Sequence, residues 1–129
     1  MITVHFLRTD ARELHKAGPF PWVRAAGGSL QAGPDGEEVA RYRGDVWTAA
    51  GHDVPMCVLH GSTCTARFEG DGPDDSATHG PFDAVEFVDG AVYAQPGSRL
   101  LARLDEPDQT WHSYADQRNW PKLLVERGS

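Results

Sequence analysis

His52, Cys57, His60 and Cys64 fall within 13 consecutive positions, and thiolate and imidazole are the usual ligands of zinc. The Cys-x2-His-x3-Cys spacing therefore raises a metal site built from His52, His60 and Cys64. The local pattern argues against it. Met56 to His60 and Thr63 to Glu69 flank Gly61-Ser62, which reads as a two-residue type II′ hairpin with glycine at the first central position. In that register Leu59 faces Cys64 and Cys57 faces Ala66, so both cysteines share an apolar face. His60 points the other way with Val58 and Thr65. One tetrahedral ion does not collect ligands from opposite faces of a hairpin, and two buried free thiols are the preferred reading. A Cys57–Cys64 disulfide is disfavoured because diagonal neighbours sit roughly 7–8 Å apart. The same facing separates Cys64 from His60 as a nucleophile and its base. No cofactor is expected.

A second group, Trp111, His112, Tyr114, Asp116, Arg118 and Trp120, is the densest polar and aromatic cluster. As an enzyme site, His112 is the general base, Asp116 its orienting partner and Tyr114 their neighbour. As a surface, Trp, Tyr and Arg are the residue types that dominate binding hot spots. As structure, Trp111 and Trp120 fill or edge a core, and that is the preferred reading. Gly-x-Ser-x-Gly, His-Glu-x-x-His, P-loop and Gly-x-Gly-x-x-Gly patterns are absent from the sequence.

Charge is the third signal. The chain of 129 residues has 19 acids, 12 Lys and Arg, and a net charge of −7. Seven acids lie between Phe68 and Ser98 without a single Lys or Arg: Glu69, Asp71, Asp74, Asp75, Asp83, Glu86 and Asp89. The other twelve acids match the twelve basic residues, so the whole net charge resides in this stretch. Three readings compete: a solvated segment that aids solubility, a calcium site, and an acidic face for a basic partner. The calcium reading fails on spacing, since Asp71, Asp74 and Asp75 are interrupted by Pro73 and lack the alternating ligands of an EF-hand loop. Nucleic acid and anionic membrane surfaces are excluded as bulk electrostatic partners.

The elements that must position these groups follow from periodicity and turns. Ile2, Val4 and Phe6 alternate as a strand. Asp10 with Glu13 three residues on reads as a capping box opening a short helix, which Gly18-Pro19 stops. Glu38 to Arg43 and Asp45 to Thr48 read as strands, and residues 70–81 as an acidic loop. Asp83 to Val88 and Ala91 to Ala94 flank Asp89-Gly90, the strongest hairpin signal in the chain. It pairs Phe87 with Val92 and Val85 with Ala94. Leu100 to Leu104, Thr110 to Tyr114 and Leu123 to Val125 complete the set. The expected fold is one α+β domain over residues 1–129, mainly antiparallel β. A β-meander forms a partly open sheet or sandwich, with one short helix near the N-terminus. The N-terminal apolar run is far short of a membrane span or secretory signal, and two cysteines suit a reducing compartment, so a cytoplasmic location is expected. The Ala-, Gly-, Asp- and Arg-rich composition suggests a GC-rich bacterial genome. The expected function is a small non-enzymatic binding module that presents acid to a basic protein. An immunity or inhibitor protein that neutralises a bacterial toxin is one instance. The alternative is a small enzyme carrying the His112/Tyr114/Asp116 site or the His52/His60/Cys64 metal site.

Overall fold

The chain has few segments whose apolar residues recur at helical spacing and many that alternate, with turn residues every few positions. Strands follow. The computed structural model describes residues 1–127, and among them there is no helix. The strands are β1 (Ile2–Leu7), β2 (Glu13–Phe20), β3 (Trp22–Ala26), β4 (Ser29–Ala32), β5 (Glu37–Arg43), β6 (Val46–Ala49) and β7 (His52–Val54). They continue as β8 (Met56–Glu69), β9 (Ser76–Val88), β10 (Ala91–Gln95), β11 (Arg99–Asp105), β12 (Thr110–Ser113), β13 (Asn119–Trp120) and β14 (Lys122–Arg127).

All pair antiparallel in one sheet, in the order β13-β12-β11-β10-β9-β8-β14-β3-β4-β5-β6-β7. The long strand β8 is the hinge of this arrangement. Its whole length pairs with β9. On its other edge, Met56–His60 pairs with β1, which carries β2, while Cys64–Glu69 pairs with β14. The sheet curls over one apolar face. Trp47 of β6, near one end of the order, meets Phe87 of β9 edge to face at 5.7 Å, and Phe87 meets Trp111 of β12 at 5.6 Å. The two wings are also tied by hydrogen bonds. The Trp111 indole donates to the Gly27 carbonyl at 3.1 Å, and the Gly28 N–H donates to Gln109 Oε1 at 2.8 Å. Burial of Phe6, Leu30, Leu59, Phe68, Trp120 and Leu123 on the same face completes the core. Each side chain of this size contributes about 1.5–3 kcal/mol when fully removed from water.

The expected α+β class is corrected by this architecture. The segment from Glu13 to Phe20 is β2, not a helix. Asp10 does accept a hydrogen bond, but from the Arg12 N–H across a tight turn in which Ala11 sits at φ 64°. Glu13 reaches across to His5 on β1 rather than back to a helix cap. Ahead of the Gly18-Pro19 stop the segment offers one large apolar residue, Leu14, and that residue is exposed. A helix here would have nothing to bury, whereas a strand satisfies the open edge of β1.

Two further expectations change. Gly61-Ser62 is not a turn: β8 runs straight through it. Gly61 is needed for a close approach instead, since a Cβ there would lie 2.6 Å from the Met1 carbonyl oxygen. The register shifts between His60 and Cys64. That irregularity returns Cys64, Ala66 and Phe68 to the buried face already occupied by Cys57 and Leu59. The acidic loop spans only residues 70–75, because β9 begins at Ser76. The Asp89-Gly90 hairpin forms as the sequence reads, with Val92 opposite Phe87 and Ala94 opposite Val85. Both central residues have positive φ, 46° and 72°, which is the type I′ signature.

Candidate functional site

The first constellation is taken apart by the sheet. Cys57 and Cys64 are free and fully buried, and burial pushes both thiols up from their ordinary pKa. His60 is exposed on the opposite face, edge-on to His5 at 6.4 Å, and His52 lies exposed at the start of β7. Among the described residues no group of three or more His, Cys, Asp or Glu side chains is placed to hold a metal ion. A buried neutral thiol is also a poor nucleophile.

The second constellation is partly assembled. His112 lies edge-on to Tyr114 at 5.2 Å. Its ring nitrogens face Asn119 Oδ1 at 2.8 Å and Gln117 Oε1 at 3.1 Å. Both amides are themselves oriented, Asn119 by donating to Thr110 and Asp105, and Gln117 by donating to the Tyr114 carbonyl. Asp116 does not orient His112. Its Oδ1 accepts from the Arg118 N–H at 3.0 Å and its Oδ2 from the Trp120 indole at 3.2 Å. Desolvation pushes the Asp116 carboxyl up, but these hydrogen bonds, a further one from the Ser113 hydroxyl, and the nearby Arg118 charge outweigh it and hold its pKa below the ordinary value. Asp116 therefore closes the turn between β12 and β13 and steadies Trp120, over which Arg118 stacks at 3.9 Å.

The seven acids separate into three groups. Glu69, Asp71, Asp74 and Asp75 surround the tip of the β8–β9 hairpin. Two of these are matched: Asp75 makes a two-pronged contact with Arg118 at 3.2 and 3.3 Å, and Glu69 lies 3.5 Å from Arg67. Asp71 and Asp74 are exposed and make no ion pair among the described residues. Asp83 and Glu86 lie along β9. Asp89 stands in the turn at its far end, roughly 40 Å from Asp75 at about 3.3 Å per residue. That is several times the Debye length of about 8 Å at physiological salt, so the tip and the turn act as separate fields.

At the turn, Asp89 gains acids that the linear sequence places elsewhere. A groove of about 330 Å³ is lined by Tyr42, Asp89, Gly90, Arg103, Leu104, Asp105, Glu106 and Pro107. The Tyr42 hydroxyl donates to Asp89 Oδ1 at 3.1 Å, and its ring packs on Trp47 at 5.2 Å. Burial, this hydrogen bond, and the charges of Asp89, Glu106 and Asp45 push the Tyr42 hydroxyl up to about 12. Three carboxylates from three parts of the chain, Asp45, Asp89 and Glu106, thus act on one phenol, and Asp105 and Arg103 also line the groove. Asp45, Asp105 and Glu106 were not singled out by the sequence reading, because each sits in a short local context balanced by arginine.

No protein-family model, no curated protein and no solved structure matches this chain. The site must therefore be read from its own chemistry. A concave surface of carboxylates around an aromatic ring suits a cationic group, which gains Coulomb attraction from the acids and a cation–π contact from the ring. Among the described residues, no helix is long and apolar enough to cross a membrane.

Proposed function

We propose that this chain is a non-enzymatic binding module whose acidic groove receives basic side chains of a protein partner. The convergence of Asp45, Asp89 and Glu106 on Tyr42, in a groove that Asp105 also lines, carries the reading. Like charges held together cost stability through mutual repulsion. A cationic partner relieves that cost, and Tyr42 offers a preformed aromatic wall for a guanidinium or ammonium group. Asp71 and Asp74 at the hairpin tip extend the negative field and steer the approach, since complementary charge chiefly accelerates encounter and rejects wrong partners. An immunity or inhibitor protein that neutralises a basic bacterial toxin is the biological instance this chemistry fits best. A cytoplasmic location accords with two unpaired, buried thiols.

The test is association with the product of the neighbouring gene, measured by surface plasmon resonance at 50 and 300 mM salt. A basic neighbour should bind, with an association rate that falls steeply as salt rises and a dissociation rate that changes less. Replacing Asp45 and Glu106 together by lysine should slow association about tenfold or more. The same reversal at Asp71 and Asp74 should have a smaller effect. Binding that ignores the groove reversal and responds only to the tip would overturn the groove as the docking surface. A non-basic neighbour that does not bind would overturn the functional reading.

A further inference from the structure

Strand β9 outruns its partner. The last β9–β10 pair is Ala84 with Gln95, so the edge of β9 from Ser76 to Phe82 has no strand beside it on that side, and the curled sheet is open there. A cleft of about 220 Å³ occupies the opening. Phe68 and Leu101 supply apolar surface, with Leu100 and Tyr114 at the rim, two of only four large apolar side chains that the described residues leave exposed. His79 and Ser113 line the same cleft; His79 carries a buried polar atom, Nε2, without a hydrogen-bond partner, while the Ser113 hydroxyl has the Asp116 carboxylate as its acceptor. Ser113 is fully buried. Arg99 also lines the cleft and makes no ion pair among the described residues. In a chain of net charge −7, an unpaired arginine beside a buried, unsatisfied imidazole nitrogen is the combination that a bound anion resolves. Buried polar groups in folded proteins are otherwise almost always paired.

We infer that this cleft is a binding site for a small carboxylate with an apolar body. The carboxylate lies on the Arg99–His79 side, where a guanidinium and an imidazole N–H donate to it. Asp116, near Ser113 and already engaged by Trp120 and Arg118, repels it from the other side. The apolar body rests on Phe68, Leu101 and the rim formed by Leu100 and Tyr114. Cavities of about 150 Å³ already accept benzene, so an aromatic ring bearing one carboxylate fits the volume. This site lies apart from the acidic groove and takes the opposite charge.

Benzoate is the probe, with benzyl alcohol as its uncharged counterpart and sodium chloride at matched ionic strength as the control. On titration into the ¹⁵N-labelled chain, benzoate should produce saturable amide shifts at 79, 99–101 and 113–115, with a dissociation constant of about 1–10 mM for a ligand of this size. Benzyl alcohol should bind at least fivefold more weakly, and chloride should not reproduce the shifts. Arg99→Gln, at an exposed side chain, should weaken benzoate at least fivefold while leaving the rest of the spectrum unchanged. Equal binding of benzoate and benzyl alcohol, benzoate binding unaffected by Arg99→Gln, or no saturable shift at these amides would overturn the assignment.

Discussion

Replacing Tyr42 by phenylalanine isolates the interaction on which the acidic groove is built. The ring keeps its packing on Trp47 at 5.2 Å and only the hydroxyl, 3.1 Å from Asp89 Oδ1, is lost. A hydrogen bond of this kind contributes about 0.5–1.5 kcal/mol net, so Y42F should be destabilised by that amount at pH 7. The pH dependence is the sharper test. Burial first, then the Asp89 hydrogen bond and the surrounding carboxylates, raise the Tyr42 pKa from 10.0 to about 12. The folded state therefore holds the phenolic proton more tightly than the unfolded chain. The associated stability is fully present below pH 10 and is lost as pH rises through 12. Two pKa units correspond to about 2.7 kcal/mol. Tyr42 is only partly buried, and solvent screening reduces this to about 1–2 kcal/mol. Urea melts of both proteins from pH 7 to 12 should thus show wild type leading at pH 7 and losing that lead above pH 10. Absorbance at 295 nm should show one phenol in wild type ionising late and missing from Y42F. Parallel stability curves across this range, with no late-ionising phenol, would refute the claim that the carboxylates converge on Tyr42.

Gly90 stands at φ 72°, and a Cβ there would meet the Tyr42 hydroxyl at 3.1 Å. Gly90→Val should cost about 2 kcal/mol or more in a urea melt, whereas Asp89→Asn, which tolerates the same backbone, should change stability far less. Cys64→Ser places a hydroxyl in a buried site where the Gly61 N–H is its one backbone partner and should cost about 1 kcal/mol or more, with Cys64→Ala milder. Both native thiols should react slowly with a disulfide reagent and rapidly in urea; fast labelling of the folded protein would contradict their burial.

The longer core strands were legible because period-two alternation is imposed by burial on one face, and this sheet has one buried face; the short strands β3, β4, β7 and β13 were not, because a few residues among turns show no period. The Asp89-Gly90 turn was legible because its backbone demands are met by few residue pairs. The two local errors share a cause. Asp10 and Glu13 carry the residue types of a capping box, but the same oxygen atoms serve a tight turn and a cross-strand contact. Gly61-Ser62 carries the residue types of a hairpin turn, but glycine is there because the Met1 carbonyl comes close. In each case a local motif has two structural uses, and only the long-range partner decides between them. The facing of Cys57 and Cys64 survived the wrong turn for a physical reason. A two-residue hairpin and the register irregularity within β8 both shift the inward phase between Leu59 and Cys64.

The charge pattern shows the opposite relation between sequence and space. Seven acids contiguous along the chain look like one surface, yet a strand of 13 residues carries them apart. At the hairpin tip, Arg118 comes in from a distant position to pair with Asp75, and Arg67, two residues before Glu69, neutralises another part of the run. At the other end, Asp89 is joined by Asp45 and Glu106, which belong to segments that read as balanced. A run of like charge fixes net charge, which the sequence reports correctly, but not field. Field falls off within about 8 Å at physiological salt, so it depends on which turns the sheet brings together. In this fold the β5–β6, β9–β10 and β11–β12 turns meet around Tyr42, and three short acidic connections become one groove. At its other end β9 pairs with β8 alone and its second edge is open, and there Arg99 and His79 line one cleft. An acidic and a basic recess therefore arise at opposite ends of one strand, and neither follows from the order in which the charges are written.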